Sequence, residues 1–594
     1  MDVSPAENSN RIVYYKIESN GKEIDKAFRF SYFCSSNLLN HIGKATLKFD
    51  TGSVEKMSFD ESDGSTFQPG VEIRVYAGYT KGQEELIYEG VIISQSLEIQ
   101  GTVRPQLVVE CRDYTFAATR GRKNAVFEEM CDGDIICKIL KPYGLSCTVE
   151  KSTMNHHSLI QYYCSDWDFI RARAEANGLV ISVKGKNVTV KKPEVNQKAV
   201  LNVEYGNDLI SFNGSLSATD QYSQVVTNAW DFDNQEVISA LASSPTLNNQ
   251  GDLSASKLQK AGGDKMVYQT DSFIVKSSLK VWADSISLRN GLSRYQGDFS
   301  FVGNAAPFPG CIVVLSKLGK RFDGNVYVGG VEHTIEKDLW HTRIIMGLPS
   351  DNVTDLPDVV APAASGYLPG IEGLHIGKVK KVEDDPLSQN RIWIELPLLN
   401  GVKNTVWARL STLYASSNAG SFFLPEAGDE VVVGFFNDDP CSPVILGSLF
   451  SKKKVSPYKP GQRNDMKAFV TREKMKIEFN EEKKIITIST PGNNSIEIND
   501  DKSRIRLSDQ HKNEIVMDRN GILFNSSKDI VLKAKGNISM EAMKMDMNAK
   551  LDVGINGMNV KVAAKMGVSM KGNATAELSA SGQTTVKGGI VMIN

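Results

Sequence analysis

The sequence of 594 residues predicts a mainly β protein that combines β-barrels with a repetitive C-terminal segment. Three observations predict this class. Short runs between Gly, Asp and Pro turns alternate apolar and polar residues through most of residues 11–350. Further runs of this kind lie close together in residues 374–450. Beyond residue 480, apolar residues recur in pairs two positions apart, as in a chain of very short strands.

Composition excludes several classes of function. The chain has 68 Lys+Arg against 70 Asp+Glu and a formal net charge of -2, so we expect no nucleic acid as its main partner. The first residues do not contain a basic stretch followed by an apolar stretch, and no apolar run is long enough to span a membrane. We therefore expect neither a signal peptide nor a membrane span. The eight cysteines form no C-x-x-C pair, and we expect buried thiols rather than disulfides or a zinc site.

Residues 1–115 read as strands of an antiparallel barrel or sandwich. Residues 116–199 add a helical insert. In its first helix the residues Ile135, Ile136, Ile139 and Leu140 share one face, with Asp132 placed as N-cap. A second helix begins at Ser165, which has an acidic residue three positions later, and ends at Gly178.

Residues 200–365 return to a β-rich pattern and predict a second barrel. Prolines, glycines and small residues at 351–372 predict a linker. The strand runs of residues 374–450 fit the size of an OB-type Greek-key barrel. A Lys-, Pro- and Gly-rich linker follows at roughly 451–465.

The last segment has a solenoid pattern. Its apolar pairs begin nine or ten residues apart and settle to seven or eight, and aromatic residues almost disappear. Two inward side chains per strand are too few for one chain to bury against itself. The core must therefore come from neighbouring coils or from other chains.

Three regions of the sequence resemble the VgrG family, the spike proteins of type VI secretion and related contractile injection machines. Residues 161–178 resemble the hub motif of that family, with Cys164 in place of the usual Glu. Residues 423–448 resemble its OB-domain signature almost position for position. The apolar repeat of residues 486–594 resembles its intertwined, three-stranded β-helical needle.

The resemblance implies a homotrimeric spike. Residues 1–365 would form a hub that meets a hexameric, Hcp-like inner tube and baseplate proteins, residues 374–450 a collar, and residues 466–594 the needle. A PAAR-type tip protein would cap the needle, and effectors would travel with it. We expect cytoplasmic assembly, delivery outside the cell or into a target cell, and transient contact with the target membrane.

Two sets of residues are predicted to carry this function. Apolar pairs are expected on the trimer axis, among them Ile530, Leu532, Ile538, Met540, Val560, Val562, Val568 and Met570. The apolar end of the chain is expected to bind the tip protein through Ile590, Val591, Met592, Ile593 and Asn594.

No catalytic, cofactor-binding or metal-binding set is predicted. The pair His156-His157 is interpreted as part of a surface loop, and Asp438-Asp439 as a solvated turn before Pro440. A structural, non-enzymatic spike is the leading interpretation. The alternatives are a spike-borne cell-wall hydrolase and a phage tail spike of the same architecture. The sequence does not separate a type VI apparatus from an extracellular injection particle or a phage tail.

Overall fold

A computed structural model describes residues 4–5, 12–53, 55, 57–101, 104–150, 154–272, 274–399 and 403–593. The chain divides into two compact units, Met1–Phe450 and Ser451–Asn594. It contains far more strand than helix, which confirms the mainly β prediction. Within the described ranges, no helix is both long and apolar enough to cross a membrane.

The first unit opens with strands that alternate buried and exposed residues. Their bounds, with one short helix, are β1 Tyr14–Ser19, β2 Lys22–Glu23, β3 Arg29–Leu38, β4 Lys44–Asp50, α1 Asp60–Asp63, β5 Glu72–Gly78, β6 Glu85–Glu98 and β7 Gln106–Arg112. The insert follows with β8 Lys123–Cys131, α2 Asp132–Leu140, β9 Ser146–Val149, β10 Asn155–Cys164, α3 Asp166–Ala176, β11 Val180–Lys184 and β12 Asn187–Lys191.

The next region contains further strands and two helices. They are β13 Leu201–Glu204, β14 Leu209–Leu216, β15 Gln224–Asp231, β16 Glu236–Leu241, α4 Ala255–Gly262, β17 Lys265–Thr270, α5 Lys276–Leu292, β18 Tyr295–Val302, β19 Ile312–Ser316, β20 Gly324–Glu336 and β21 Leu339–Met346.

One 13-stranded sheet joins the two β-rich regions of this unit. Its main path runs β14-β18-β21-β20-β3-β4-β7-β6-β5-β1-β2, and β19 attaches β13 to β20. The connection is the antiparallel pair β20 and β3, in which Thr334 lies opposite Cys34. The two predicted barrels therefore share one sheet, and their boundaries at residues 115 and 200 stay predictions.

The first helix of the insert, α2, buries the predicted apolar face, but its predicted cap is wrong. Cys131 is the N-cap, and Asp132 is the first helical residue. The Asp132 carboxylate accepts hydrogen bonds from the Arg173 guanidinium at 2.6 Å and the Asn177 side chain at 2.8 Å. Burial raises the pKa of Asp132, but the hydrogen bonds from Arg173, Asn177 and His156 and the charge of Arg173 together outweigh it, so that the pKa is lowered. This contact with α3 replaces the local cap.

The second helix of the insert follows its sequence signals. Ser165 is the N-cap of α3, and its hydroxyl accepts a hydrogen bond from the backbone N–H of Asp168 at 3.1 Å. Beyond the helix, Gly178 has a φ of 69°, which glycine adopts without steric cost. The predicted start and end of this helix are confirmed.

Two other predictions about the insert are wrong. His156 and His157 lie on strand β10, which pairs with β8, rather than in a loop, and His156 Nε2 lies 3.1 Å from Asp132 Oδ2. A disulfide joins Cys137 on α2 to Cys147 on β9, with their Cα atoms 5.4 Å apart. Sequence spacing does not reveal this pair because the fold, not the spacing, brings the strand beside the helix.

The predicted OB-type barrel is confirmed. The strands of this region are β22 His375–Lys381, β23 Ile392–Glu395, β24 Thr405–Leu410, β25 Ala415–Ser416, β26 Ala419–Gly420, β27 Glu430–Phe435 and β28 Pro443–Leu449, of which β25 and β26 form a separate pair. The order β22-β23-β24-β28-β27 closes on itself. Ile394, Val431, Val433 and Ile445 are fully buried inside it. Alternate residues of each strand thus fill a core that a single chain completes.

Replacing Ser165 by Ala tests the cap of α3. We expect the stability of helix α3 to fall by about 1 kcal/mol, because the backbone N–H of Asp168 in the first turn loses its acceptor. Amide exchange of residues 166–170 in the full-length protein should quicken roughly fivefold. The control Ser158→Ala lies at an exposed position of strand β10 and should leave these rates unchanged. Equal rates in Ser165→Ala and the wild type would contradict the assignment.

Candidate functional site

Residues 466–525 form an antiparallel meander of five-residue strands. The strands are β29 Met466–Val470, β30 Lys476–Asn480, β31 Ile485–Ser489, β32 Ser495–Asn499, β33 Arg504–Ser508, β34 Glu514–Asp518 and β35 Gly521–Asn525. They follow one another in the sheet in chain order. Polar turns separate them, and turn residues Asn493, Ser503 and Lys512 have positive φ angles.

The register of this sheet brings the apolar pairs together. Ile486 lies opposite both Phe479 and Ile498, and Ile505 lies opposite Met517. Because alternate residues of a strand point to the same side, the second and fourth residues of β30–β35 share one face. We call this the apolar face; it consists of Ile477, Phe479, Ile486, Ile488, Ile496, Ile498, Ile505, Leu507, Ile515, Met517, Ile522 and Phe524.

The opposite face of the meander is charged and largely satisfied within the chain. Arg504 donates to Glu497 Oε1 at 2.7 Å, and Arg506 donates to Glu514 Oε2 at 2.9 Å. The hydrogen bond from Arg504 holds the pKa of Glu497 below its ordinary value. This face therefore has its own network of partners.

The exposure of the two faces is the reverse of an ordinary soluble sheet. Ile486 is 38% exposed, Ile488 45% and Phe524 62%, whereas the charged Glu497 and Arg506 are half-buried. A groove of about 520 Å³ runs along the apolar face, and Ile488, Ile496, Leu507, Ile515, Phe524 and Ile530 are among its lining residues. Apolar surface of this extent marks an interaction site.

Residues 526–593 continue the apolar repeat but form no strand with one another. Every described side chain from residue 527 to residue 593 is exposed. The predicted axis residues are therefore uncovered in the single chain: Ile530, Leu532, Ile538, Met540, Val560, Val562, Val568 and Met570 are all more than half exposed. The arrangement leaves both the backbone and the apolar side chains of this segment without partners from its own repeat.

The predicted tip-binding residues are exposed as well. Ile590, Met592 and Ile593 are 85%, 85% and 89% exposed, and Val591 is 49% exposed. Asn594, which the sequence analysis adds to this set, lies outside the described residues. The structure brings these residues together only as a contiguous run, and their binding role stays a prediction.

Residues 466–594, which are predicted to form one needle, divide into two kinds of segment. Residues 466–525 pair with themselves, whereas residues 526–593 do not. The signal was present in the spacing: β30–β34 begin nine or ten residues apart, and the later pairs seven or eight. In the part of the chain that the structure describes, no three His, Cys, Asp or Glu side chains form a metal-binding group.

Two known protein families match parts of the first unit. A family described as the Alg8 N-terminal domain matches residues 9–337, which is more than half of the chain. The chain belongs to the Alg8 N-terminal domain family. A second family, the type VI secretion system/phage-baseplate injector OB domain, matches residues 375–450, which the closed barrel occupies.

Individual relatives match this Alg8-type chain over short stretches. The type VI secretion system spike protein VgrG3 of Vibrio cholerae is 38% identical over 56 residues, which is 9% of this chain and 6% of that protein. VgrG1a of Pseudomonas aeruginosa is 36% identical over 55 residues, 9% of each chain. The chain thus matches less than a tenth of these relatives. With the OB-domain match, they confirm the resemblance to VgrG spike proteins.

Among solved structures, the chain is similar to the 43 kDa tail protein of prophage MuSo2 from Shewanella oneidensis. The two share 11% identity with a TM-score of 0.43, over 57% of this chain and 99% of that one.

Charging the apolar face tests whether it is a contact surface. We expect Ile486→Lys to prevent self-association, because an ammonium group on this face would be buried without a partner. Thr487→Lys is the matched control, since residue 487 lies on the charged face between Glu478 and Glu497. Native mass measurement should show association in the control and none in Ile486→Lys. Equal association of both variants would mean that the face stays open to solvent.

Proposed function

We propose that the chain is a structural subunit of the spike of a contractile injection machine and that it acts as a homotrimer. The observation that supports this proposal is the apolar face of residues 477–524, which continues into a strandless apolar repeat. Most apolar side chains of both parts are exposed in the single chain. Three copies arranged around one axis turn all these faces inward and supply the missing backbone partners.

The energy of this arrangement is substantial. Burying apolar surface contributes about 25 cal/mol per Å², or roughly 1.5–3 kcal/mol for a fully buried Ile, Leu or Met side chain. The apolar pairs repeat along the whole segment, so this gain recurs at every repeat and opposes the entropy lost when the three chains become ordered. The predicted axis residues, from Ile530 to Met570, take the inward positions. The result is a rigid rod suited to pierce an envelope.

The partners follow from the same proposal. Residues 1–365 form a hub and residues 374–450 a collar, which join an Hcp-like inner tube and baseplate proteins; the match of residues 375–450 to the injector OB domain supports the collar. Residues 590–594 bind a PAAR-type tip protein, and effectors travel with the spike. The trimer assembles in the cytoplasm and is delivered outward, where it contacts the target membrane transiently. It serves as a mechanical component, not as a hydrolase.

The oligomeric state is the direct test. Native mass spectrometry of the full-length protein at dilute concentration should return three times 65.3 kDa, because the apolar face and the axis residues are exposed in the single chain. In limited proteolysis of the same sample, residues 466–593 should resist digestion, since the axis would be dry and the backbone paired. A monomer whose residues 466–593 resist protease equally well would contradict the trimer.

The tip assignment has a separate test. Deleting residues 588–594 should leave the trimer intact, because the repeats above them remain, but should abolish capture of the cognate tip protein in a pull-down. The uncapped end exposes the apolar residues Ile590–Ile593, and a partner of β-structure would cover them. Lys587→Ser, just outside the deletion, serves as the control. Undiminished capture by the truncated trimer would mean that the tip protein binds elsewhere on the spike.

A further inference from the structure

The end of the meander is held by a small network of polar groups. After β35, the Oδ1 atom of Asn513 accepts hydrogen bonds from Ser526 Oγ at 2.9 Å and from the N–H of Ser527 at 3.0 Å. Ser527 Oγ also donates to the carbonyl oxygen of His511 at 3.0 Å. These contacts tie the chain that leaves β35 to the turn between β33 and β34.

Asn513 is itself oriented by Asp509 at the start of the same turn. The N–H of Asn513 donates to Asp509 Oδ1, and Asn513 Nδ2 donates to Asp509 Oδ2, both at 2.9 Å. With its amide nitrogen held by the carboxylate, Asn513 presents its oxygen to residues 526 and 527. The backbone N–H of Asn513 is the main reason that the pKa of Asp509 lies below its ordinary value. We call Asp509, His511, Asn513, Ser526 and Ser527 the junction latch.

The junction latch directs the chain onto the apolar face. A few residues beyond Ser527, Ile530 lines the same groove as Ile488, Leu507 and Phe524. The first apolar residue of the strandless segment thus lies on the face that the meander has built. Ile530 thus lines the end of a groove that its own chain forms. Ile488 and Phe524, which line the same groove, remain exposed.

The position of residue 530 fixes every later residue. Because side chains alternate along an extended chain, a slip by one position would turn Val531 and Lys533 inward in place of Ile530 and Leu532. A buried lysine without a partner is strongly unfavourable. The segment beyond residue 530 has no strand partner in its own repeat to correct such a slip.

We propose that the junction latch sets the point and the direction in which three copies of this chain begin to wrap around one another. The partner of the groove is a second copy of this chain, whose segment beyond residue 530 fills the part that Ile530 leaves open. Before the latch, in the meander, the strands of each chain pair with one another. Beyond residue 530, each chain pairs only with the neighbouring copies. This inference rests on the proposed trimer.

The test compares the two halves of the segment in three variants of the full-length protein. Asn513→Leu removes the central acceptor, and Ser527→Ala removes only the hydroxyl bonded to His511 and directed at Asn513. Asn494→Leu is the matched control: it has the same place in the turn between β31 and β32, and its Oδ1 accepts from the N–H of Gln510 at 3.2 Å. Each variant is refolded from denaturant and examined by native mass and by amide exchange.

We expect the wild type and Asn494→Leu to refold as trimers with slow exchange in residues 530–593. In Asn513→Leu and Ser527→Ala, exchange in residues 530–593 should quicken at least about tenfold while residues 476–508 stay protected. A monomeric wild type would overturn the proposed function itself. The latch alone would be overturned by a second outcome. In that outcome the wild type and both variants, Ser527→Ala and Asn513→Leu, are trimers, and residues 530–593 are equally protected in all three. If Asn513→Leu also loses protection in residues 476–508, the meander itself is damaged in that variant. Amide exchange of residues 530–593 in Ser527→Ala then decides whether the latch orders them.

Discussion

A single sheet of very short strands leaves one of its faces open unless another layer covers it, and this constraint governs the C-terminal unit, Ser451–Asn594. Each strand of the meander has five residues, of which two, such as Ile496 and Ile498, point to the apolar side. The charged side is satisfied by pairs such as Arg504 and Glu497. The sheet therefore has one completed face and one that only a further layer can complete. The OB barrel solves the same problem by closing on itself.

Repeat length differs between the two parts of this unit. Most repeats of the meander have nine or ten residues, with five in the strand and four or five in the turn, whereas β34 and β35 pair across a turn of only two residues. The change to seven or eight residues coincides with the end of this self-pairing, since residues 526–593 form no strand with one another. In the proposed trimer, this segment advances along the axis and its backbone finds partners in the other copies.

The first unit relies on contacts between distant segments. The pairing of β3 with β20 makes one sheet from strands that lie nearly 300 residues apart in sequence. The buried Asp132 links helix α2 to Arg173 on α3, and His156 on β10 lies beside the same carboxylate. These contacts stabilise the insert because a buried carboxylate requires partners, and here several elements supply them.

The sequence by itself determined the class of the fold, the OB barrel, helix α3 with its Ser165 cap, and the apolar pairs of the repeat. All of these depend on local periodicity and on turn or cap residues, which act within a few positions of the chain. Only the tertiary structure decided that Asp132 pairs with Arg173 instead of capping α2, that Cys137 bonds to Cys147, and that Asn513 holds Ser527. Each of these depends on which segments meet in space, since a side chain binds the partner that the fold brings within reach, whatever their separation in sequence.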